Sequence, residues 1–341
     1  MSDTIDGIPV ERFRYAARRY ETLAYTGTMA QDVAASWSAR FAMMGYMGAG
    51  LRSAIVARRR FRPDLIHAHW WFPSGFIGAA VSRASGTPLV TTMHGTDVRL
   101  ARNVAASAAF FRFVIRRSAS VTTVSSWLAS EVASMAPECK PEVAPMPVDI
   151  ARYSPGGTRA RDRVLFVGRL NQQKGLAHAL RALPLMPSSV FLDVVGDGKD
   201  RASLEALAAE LGIARRITWH GQTAQEDLPR HYRSAAALVV PSIDEGLGLV
   251  AAEALLCETP VVAFRSGGLT DVVEHERTGI LVSPGDDAAL AAALGRVLTR
   301  PEDAAKLARA GRLSALSAFS PEVVARRYSG IYKDTLATHA A

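Results

Sequence analysis

From residue 163 to residue 286 the chain repeats one pattern: a short apolar run, a turn rich in glycine or serine, then a helical stretch. The runs are RVLFV at 163–167, SSVFLDVV at 188–195, ITWHG at 217–221, AALVVPS at 236–242, TPVVAF at 259–264 and TGILV at 278–282. Apolar runs this short and this continuous suit strands buried on both faces. Helical stretches such as DRASLEALAAELG at 200–212 lie between most of them and supply crossovers. Strand, helix and strand in regular succession fold as a parallel sheet with helices on its faces. The pattern therefore predicts a doubly wound α/β domain of six strands.

A second, earlier series has the same character. PDLIHAHW at 63–70, TPLVTTMHGTD at 87–97, ASVTTVSSWLASEVASM at 119–135 and EVAPMPVDIARYSP at 142–155 each open as a strand. GIPVERFRY at 7–15 alternates apolar and polar residues and reads as another strand. Residues 38–62 carry a helical pattern that ends in Arg58, Arg59, Arg60 and Arg62. The GYMGAG inside it follows no strand, so its glycines read as helix-packing positions and not as a dinucleotide loop. The last segment, 320–337, starts with Ser320 and Pro321 and reads as an amphipathic helix with no strand after it. A length of 341 residues suits two domains, each with its own core. The expected division is 1–148, completed by the helix 320–338, and 149–319.

Composition narrows the function. Two cysteines, Cys139 and Cys257, lie far apart, so neither a disulfide framework nor a cysteine metal cluster is expected, and Cys257 reads as buried packing. His67 and His69 alternate along a strand without cysteine or carboxylate partners and read as structural. No run of 18 apolar residues and no signal peptide occurs, so the expected location is the cytoplasm, with the inner membrane face as a peripheral site. The net charge of +8 is carried mostly by the first half of the chain. No nucleic-acid motif or stacking platform accompanies it, so no nucleic-acid partner is expected. Contact with an anionic membrane stays open beside plain solubility.

The most chemically specific stretch is PSIDEGLGLVAAEALLCETP at 241–260. Glu245 is followed by Gly246, Leu247, Gly248 and Leu249, and a second carboxylate, Glu253, comes eight positions after the first. Gly246 and Gly248 let the backbone approach a ligand without a Cβ in the way. The Ala- and Leu-rich run behind them reads as a helix whose free N–H groups point at the loop, a ready anion site.

These residues carry a resemblance. VVPSIDEGLGLVAAEALLCETPVVAF at 239–264, the glycines at 267–268, TGILV at 278–282, VGRLNQQKG at 167–175, HGTD at 94–97 and PDLIHAHW at 63–70 follow one another in the order and spacing of one family. Over roughly residues 5–335 the chain resembles the retaining glycosyltransferases of family 4, with two Rossmann-like domains facing a cleft in the GT-B arrangement. The resemblance implies transfer of a sugar from a nucleoside-diphosphate sugar (UDP, GDP or ADP) without a metal or other cofactor. It implies that Arg169 and Lys174, beside Gly168, grip the diphosphate. A leaving group that gains negative charge needs fixed cations. It implies that Glu253 binds the ribose hydroxyls and that Glu245 holds the transferred sugar. The amides of Gly246, Leu247 and Gly248 would surround sugar and phosphate, and His94 would lie across the cleft. Asp97 either orients the His94 loop or caps the next helix. The acceptor (glycan, lipid or small molecule) is not readable.

Members of this family begin with a strand, a glycine-rich loop and a helix, and this chain begins at a piece resembling the third strand. Three readings stay open: a truncated start, a rearranged sheet in which 7–15 and 63–70 close up, or completion by a partner chain. Under-covered apolar surface around Leu65, Val90 and Val121, favouring self-association, is expected from the gap. Two other functions compete with sugar transfer. One is a nucleotide-sugar-binding protein or subunit, inactive alone. The other is a sugar-nucleotide epimerase on the same double-Rossmann plan, against which the glutamate pair of EGLGLVAAE speaks.

Overall fold

The six apolar runs of the second half do form one parallel sheet in the computed structural model, which describes residues 2–21, 23, 29, 33 and 36–340. Its strands are β7 (Arg163–Val167), β8 (Phe191–Val195), β9 (Ile217–Gly221), β10 (Ala237–Val240), β11 (Val261–Phe264) and β12 (Ile280–Val282). Their order across the sheet is β12-β11-β10-β7-β8-β9, all parallel. The chain winds outward from β7 through β8 to β9, then returns to the other side of β7 and winds outward again. The switch point lies between β7 and β10, and ligands of such sheets bind beyond the strand ends there. Val164, Phe166, Leu192, Val194, Val239 and Phe264 of the strands pack with Leu180 and Leu290 of the helices Leu176–Ala182 and Asp287–Thr299. Each fully buried side chain of this size contributes about 1.5–3 kcal/mol. Asp286 starts the second of these helices by accepting a hydrogen bond from Ala289 N at 2.8 Å.

The chain divides into two compact units. One comprises Met1–Thr123, Glu131–Glu142 and Gly330–Ala341, the other Val124–Ser130 and Val143–Ser329. The first unit holds a four-stranded sheet in the order β3 (Ile66–His69), β4 (Leu89–Met93), β5 (Ser120–Thr123) and β6 (Glu142–Val143). The helix Phe76–Ser85 packs on it, its Gly78 against Leu89, Ala68 and Ile66. The last helix, Pro321–Ala340, reaches the same sheet: Tyr332 Oη lies 2.7 Å from His67 Nδ1, and Thr335 Oγ1 lies 2.7 Å from Ser120 Oγ.

Two expectations about this unit need correction. The strand expected over 7–15 is shorter, and it is the return arm of a hairpin: β2 (Ile8–Glu11) pairs antiparallel with β1 (Ser2–Ile5). Asp6 and Gly7 both have positive φ, at 49° and 80°, the geometry of a two-residue hairpin turn. A turn that closes locally is satisfied before any distant strand is found. Accordingly β2 pairs with β1, and β3 has β4 as its one neighbour among the described residues, so 7–15 and 63–70 do not close into one sheet. The expected bare surface is also absent: Val90 is fully buried and Val121 nearly so, while Leu65 is half-buried. Residue 1 and most of 22–35, which the expected first domain includes, lie outside the described residues.

The helix expected at 38–62 is Trp37–Phe61. Its glycines pack as expected at two positions. A Cβ on Gly45 would stand 2.2 Å from Tyr15 O, and one on Gly50 would stand 2.8 Å from Ile77 Cδ1. Both cysteines are buried and free.

Candidate active site

Two loops meet at the switch point of the larger sheet, one after β7 and one after β10. The first is pinned from both sides. Gly168 N donates to Val195 O at 3.0 Å and Leu170 N donates to Asp197 O at 2.9 Å, so the loop follows the end of β8. The approach leaves no room for side chains: a Cβ on Gly196 would sit 1.9 Å from Gly168 O, and one on Gly198 would sit 2.4 Å from Leu170 O. Asn171 Oδ1 accepts from Lys174 N at 3.0 Å and closes a turn that aims the lysine. Gly175, at φ +68°, lets this turn touch the second loop, since its Cβ would fall 2.0 Å from Pro241 O.

The second loop carries Glu245. Ile243 N donates to Gln173 O at 2.9 Å and Gln173 Nε2 donates to Asp244 O at 3.1 Å, so Gln173 ties the two loops through both its backbone and its side chain. Ser266 Oγ accepts from Asp244 N at 3.0 Å, and Gly268 N donates to Glu245 O at 2.8 Å. The Glu245 side chain, 10% exposed, pairs with Lys174 Nζ at 2.7 Å. Gly248 ends the loop at φ 93° and starts the helix Leu249–Leu256, with Leu247 buried beneath the loop. The backbone N–H groups of Gly246, Leu247 and Gly248 donate to no acceptor among the described residues. Arg169 is exposed and makes no ion pair among the described residues. A cation and three amides without partners among the described residues, beside a part-buried Lys–Glu pair, make a site for a polyanion.

One turn and more into that helix, Glu253 is half-buried and accepts a hydrogen bond from Tyr232 Oη at 2.7 Å. Burial raises its carboxyl above the usual range, against the tyrosine hydrogen bond that lowers it. Gln173, Tyr232 and Ser266 had no sequence signal of their own. Gly267 and Gly268 did: a glycine pair right after a strand marks a close backbone approach. It is the Glu245 loop that approaches here, with Gly267 Cβ falling 2.2 Å from Glu245 O and Gly268 Cβ 2.4 Å from Gly246 O.

His94 belongs to the smaller unit and follows β4. Of the two readings of Asp97, orienting the His94 loop is the one the hydrogen bonds support, because the next helix has Gly95 as its N-cap and no side-chain cap. Asp97 stands in the first turn of the helix Thr96–Asn103, and its buried carboxylate accepts from His94 N and Gly95 N at 3.0 Å and from Trp71 N at 3.1 Å. It thus ties the His94 loop to the turn after β3. His94 Nε2 lies 2.9 Å from His69 Nδ1, so His69 shares the His94 environment. His67 sits between Tyr332 Oη and Thr92 Oγ1, each at 2.7 Å. Burial, and then the neighbouring histidines, push His67 and His94 down to about 4. Both are therefore neutral at pH 7. Between pH 6.5 and 4 the unfolded chain takes up protons that the folded chain refuses, so stability is lost as pH falls through that window. Urea unfolding at pH 7 and pH 5 is expected to show the loss, and His94→Gln is expected to reduce it. A midpoint independent of pH would refute neutral burial.

Comparison with known proteins reports on the same regions. The family model described as "Glycosyl transferases group 1" matches residues 157–314, and "Glycosyltransferase Family 4" matches residues 14–152. The D-inositol 3-phosphate glycosyltransferase of Acidothermus cellulolyticus is 35% identical over 308 residues, 80% of this chain and 68% of that protein. The chain belongs to this glycosyltransferase family. The fold agrees. The sucrose-phosphate synthase of Thermosynechococcus elongatus superposes with a TM-score of 0.82 at 24% identity, over 98% of this chain and 85% of that one. The Anabaena HepE protein, solved in complex with UDP-glucose, superposes with a TM-score of 0.74 at 21% identity, over 85% and 84%. The glycosyltransferase is thus an α/β enzyme of the GT-B fold, and the loops after β7 and β10 lie within the group 1 match.

Proposed function

We propose that this glycosyltransferase moves a sugar from a nucleoside-diphosphate sugar to an acceptor hydroxyl with retention at the anomeric carbon, and that cations of the chain, not a metal, hold the diphosphate. The observation that carries the reading is the meeting of Lys174, Glu245, the exposed Arg169 and the unpartnered amides of Gly246, Leu247 and Gly248 at the switch point. Arg169 and Lys174 stabilise the charge that develops on the departing diphosphate. Glu245 accepts hydrogen bonds from the sugar hydroxyls, and entry of the donor loosens its pair with Lys174. Glu253 accepts from the ribose, with Tyr232 fixing its rotamer. The C1–phosphate bond breaks as the acceptor oxygen bonds to C1 on the same face, and the acceptor proton passes to the departing phosphate oxygen.

The base is read best as uridine, because the Anabaena protein of the same fold holds UDP-glucose. The acceptor is read as a polyol bearing phosphate. The basic surplus of the first half of the chain and the acceptor named for the Acidothermus relative both favour it. A thermal-shift panel of UDP, GDP and ADP is the direct test. Ligand at 100 times its Kd stabilises by about 2.7 kcal/mol, well within reach of the measurement. UDP is expected to shift the melt most, EDTA is expected to leave turnover unchanged, and an α-configured donor is expected to give an α-linked product by NMR. A β-linked product would overturn retention, and turnover abolished by EDTA would overturn the cation grip. Nucleotide binding with no turnover on any acceptor would favour a binding subunit.

A further inference from the structure

The helix Trp37–Phe61 plays no part in the chemistry above, yet its outer face is unusual. Its inner face is packed: Ala39 and Ala42 are buried with Leu23, and Tyr46 meets the rings of Phe13 and Tyr15, each at 5.2 Å. That packing fixes which side looks outward. Trp37 is 73% exposed, and Phe41 and Met44 are each 69% exposed. At 100° per residue these three fall on one stripe, and Arg52 and Arg59 continue it over about 33 Å of helix. Arg52 and Arg59 are exposed and make no ion pair among the described residues. Arg40 stands 4.5 Å over the Trp37 ring.

We propose that this stripe is a docking surface for an anionic phospholipid membrane, with the helix lying in the plane of the interface. Charge selects the occupant. From Trp37 to Arg62 the sequence has six arginines and no carboxylate. Two copies of such a helix face to face would repel, with nothing on either stripe to neutralise the other. An anionic headgroup layer answers the arginines along the whole stripe, and the acyl boundary takes Trp37, Phe41 and Met44. Tryptophan, with an apolar body and one N–H donor, suits that boundary. No helix among the described residues is long and apolar enough to cross a membrane, so the contact is peripheral. The surface lies outside the proposed sugar-transfer residues, so lipid docking and donor binding stand or fall separately.

The experiment is flotation of the full chain with phosphatidylcholine vesicles, with and without phosphatidylglycerol, at low and high salt. Binding is expected only to the anionic vesicles and is expected to weaken with salt. Arg52→Glu/Arg59→Glu is expected to lower the apparent affinity roughly tenfold or more, since each cation near an anionic surface is worth several-fold. Trp37→Ser/Phe41→Ser is expected to lower it comparably. Circular dichroism melts matching the parent show that these surface variants remain folded. Equal binding to neutral vesicles, no binding to anionic ones, or parental binding by both double variants would overturn the proposal. So would a dimer in the absence of lipid that Trp37→Ser/Phe41→Ser dissolves.

Discussion

Lys174→Met is expected to lower both stability and turnover, and Lys174→Met/Glu245→Gln is expected to restore the first without the second. The two side chains are 19% and 10% exposed and meet at 2.7 Å. Removing one partner of a largely buried ion pair leaves the other charge poorly compensated and costs up to about 3–5 kcal/mol, whereas replacing both with neutral groups of similar volume costs little. For a domain of this size the single variant should therefore melt roughly 10 °C below the parent. Turnover follows a different logic. The lysine is assigned to the diphosphate and the glutamate to the sugar, so the double variant lacks both contacts and should fall by about 10²–10³ or more in kcat. Thermal melts and single-turnover rates on the same three proteins separate the two effects. A single variant as stable as the parent would refute the coupling, and a double variant with parental turnover would refute both assignments.

Gly267→Ala is expected to displace the Glu245 loop and abolish nucleotide binding. Gly267 has φ +59°, and its added Cβ would fall 2.2 Å from Glu245 O and 2.7 Å from Glu245 N. Those atoms are backbone and cannot rotate away, so the loop itself must shift. Gly285→Ala is the control. Its φ is +81°, but a Cβ there meets open space. The control should carry only the conformational penalty of a left-handed residue, about 1–2 kcal/mol, with nucleotide binding intact. Gly267→Ala should carry that penalty together with the loss of the site. If isothermal titration gives both variants the same nucleotide affinity, the close approach at Gly267 does not position Glu245.

Much of the larger unit could be read from residues alone. Each of its six strands is a continuous apolar run, and the helices between them dictate parallel crossovers, so local signals and topology agree. The chemistry of 241–260 was legible for the same reason: carboxylate, glycine and helix start are neighbours in sequence. The smaller unit was harder. GIPVERFRY alternates as a strand should, but alternation cannot say which strand it joins. The Asp6–Gly7 turn settled that in favour of Ser2–Ile5. The expectation of bare surface at Val90 and Val121 came from counting strands without the helices that cover a sheet. Gln173 and Ser266 escaped notice because each acts through hydrogen bonds to a loop at least 22 positions away, and nothing in a single sequence marks such bonds.

Periodicity and turn chemistry act over a few residues, so the fold class, the winding of the larger sheet and the residue types gathered after β7 and β10 were legible in residue order alone. Packing set that Lys174 and Glu245, 71 positions apart, form one part-buried pair. It alone decided that His69 lies against His94, that Tyr232 holds Glu253, and that Trp37, Phe41 and Met44 face outward. Each of these depends on which elements pack together, and packing joins residues whose separation along the chain carries no local signal.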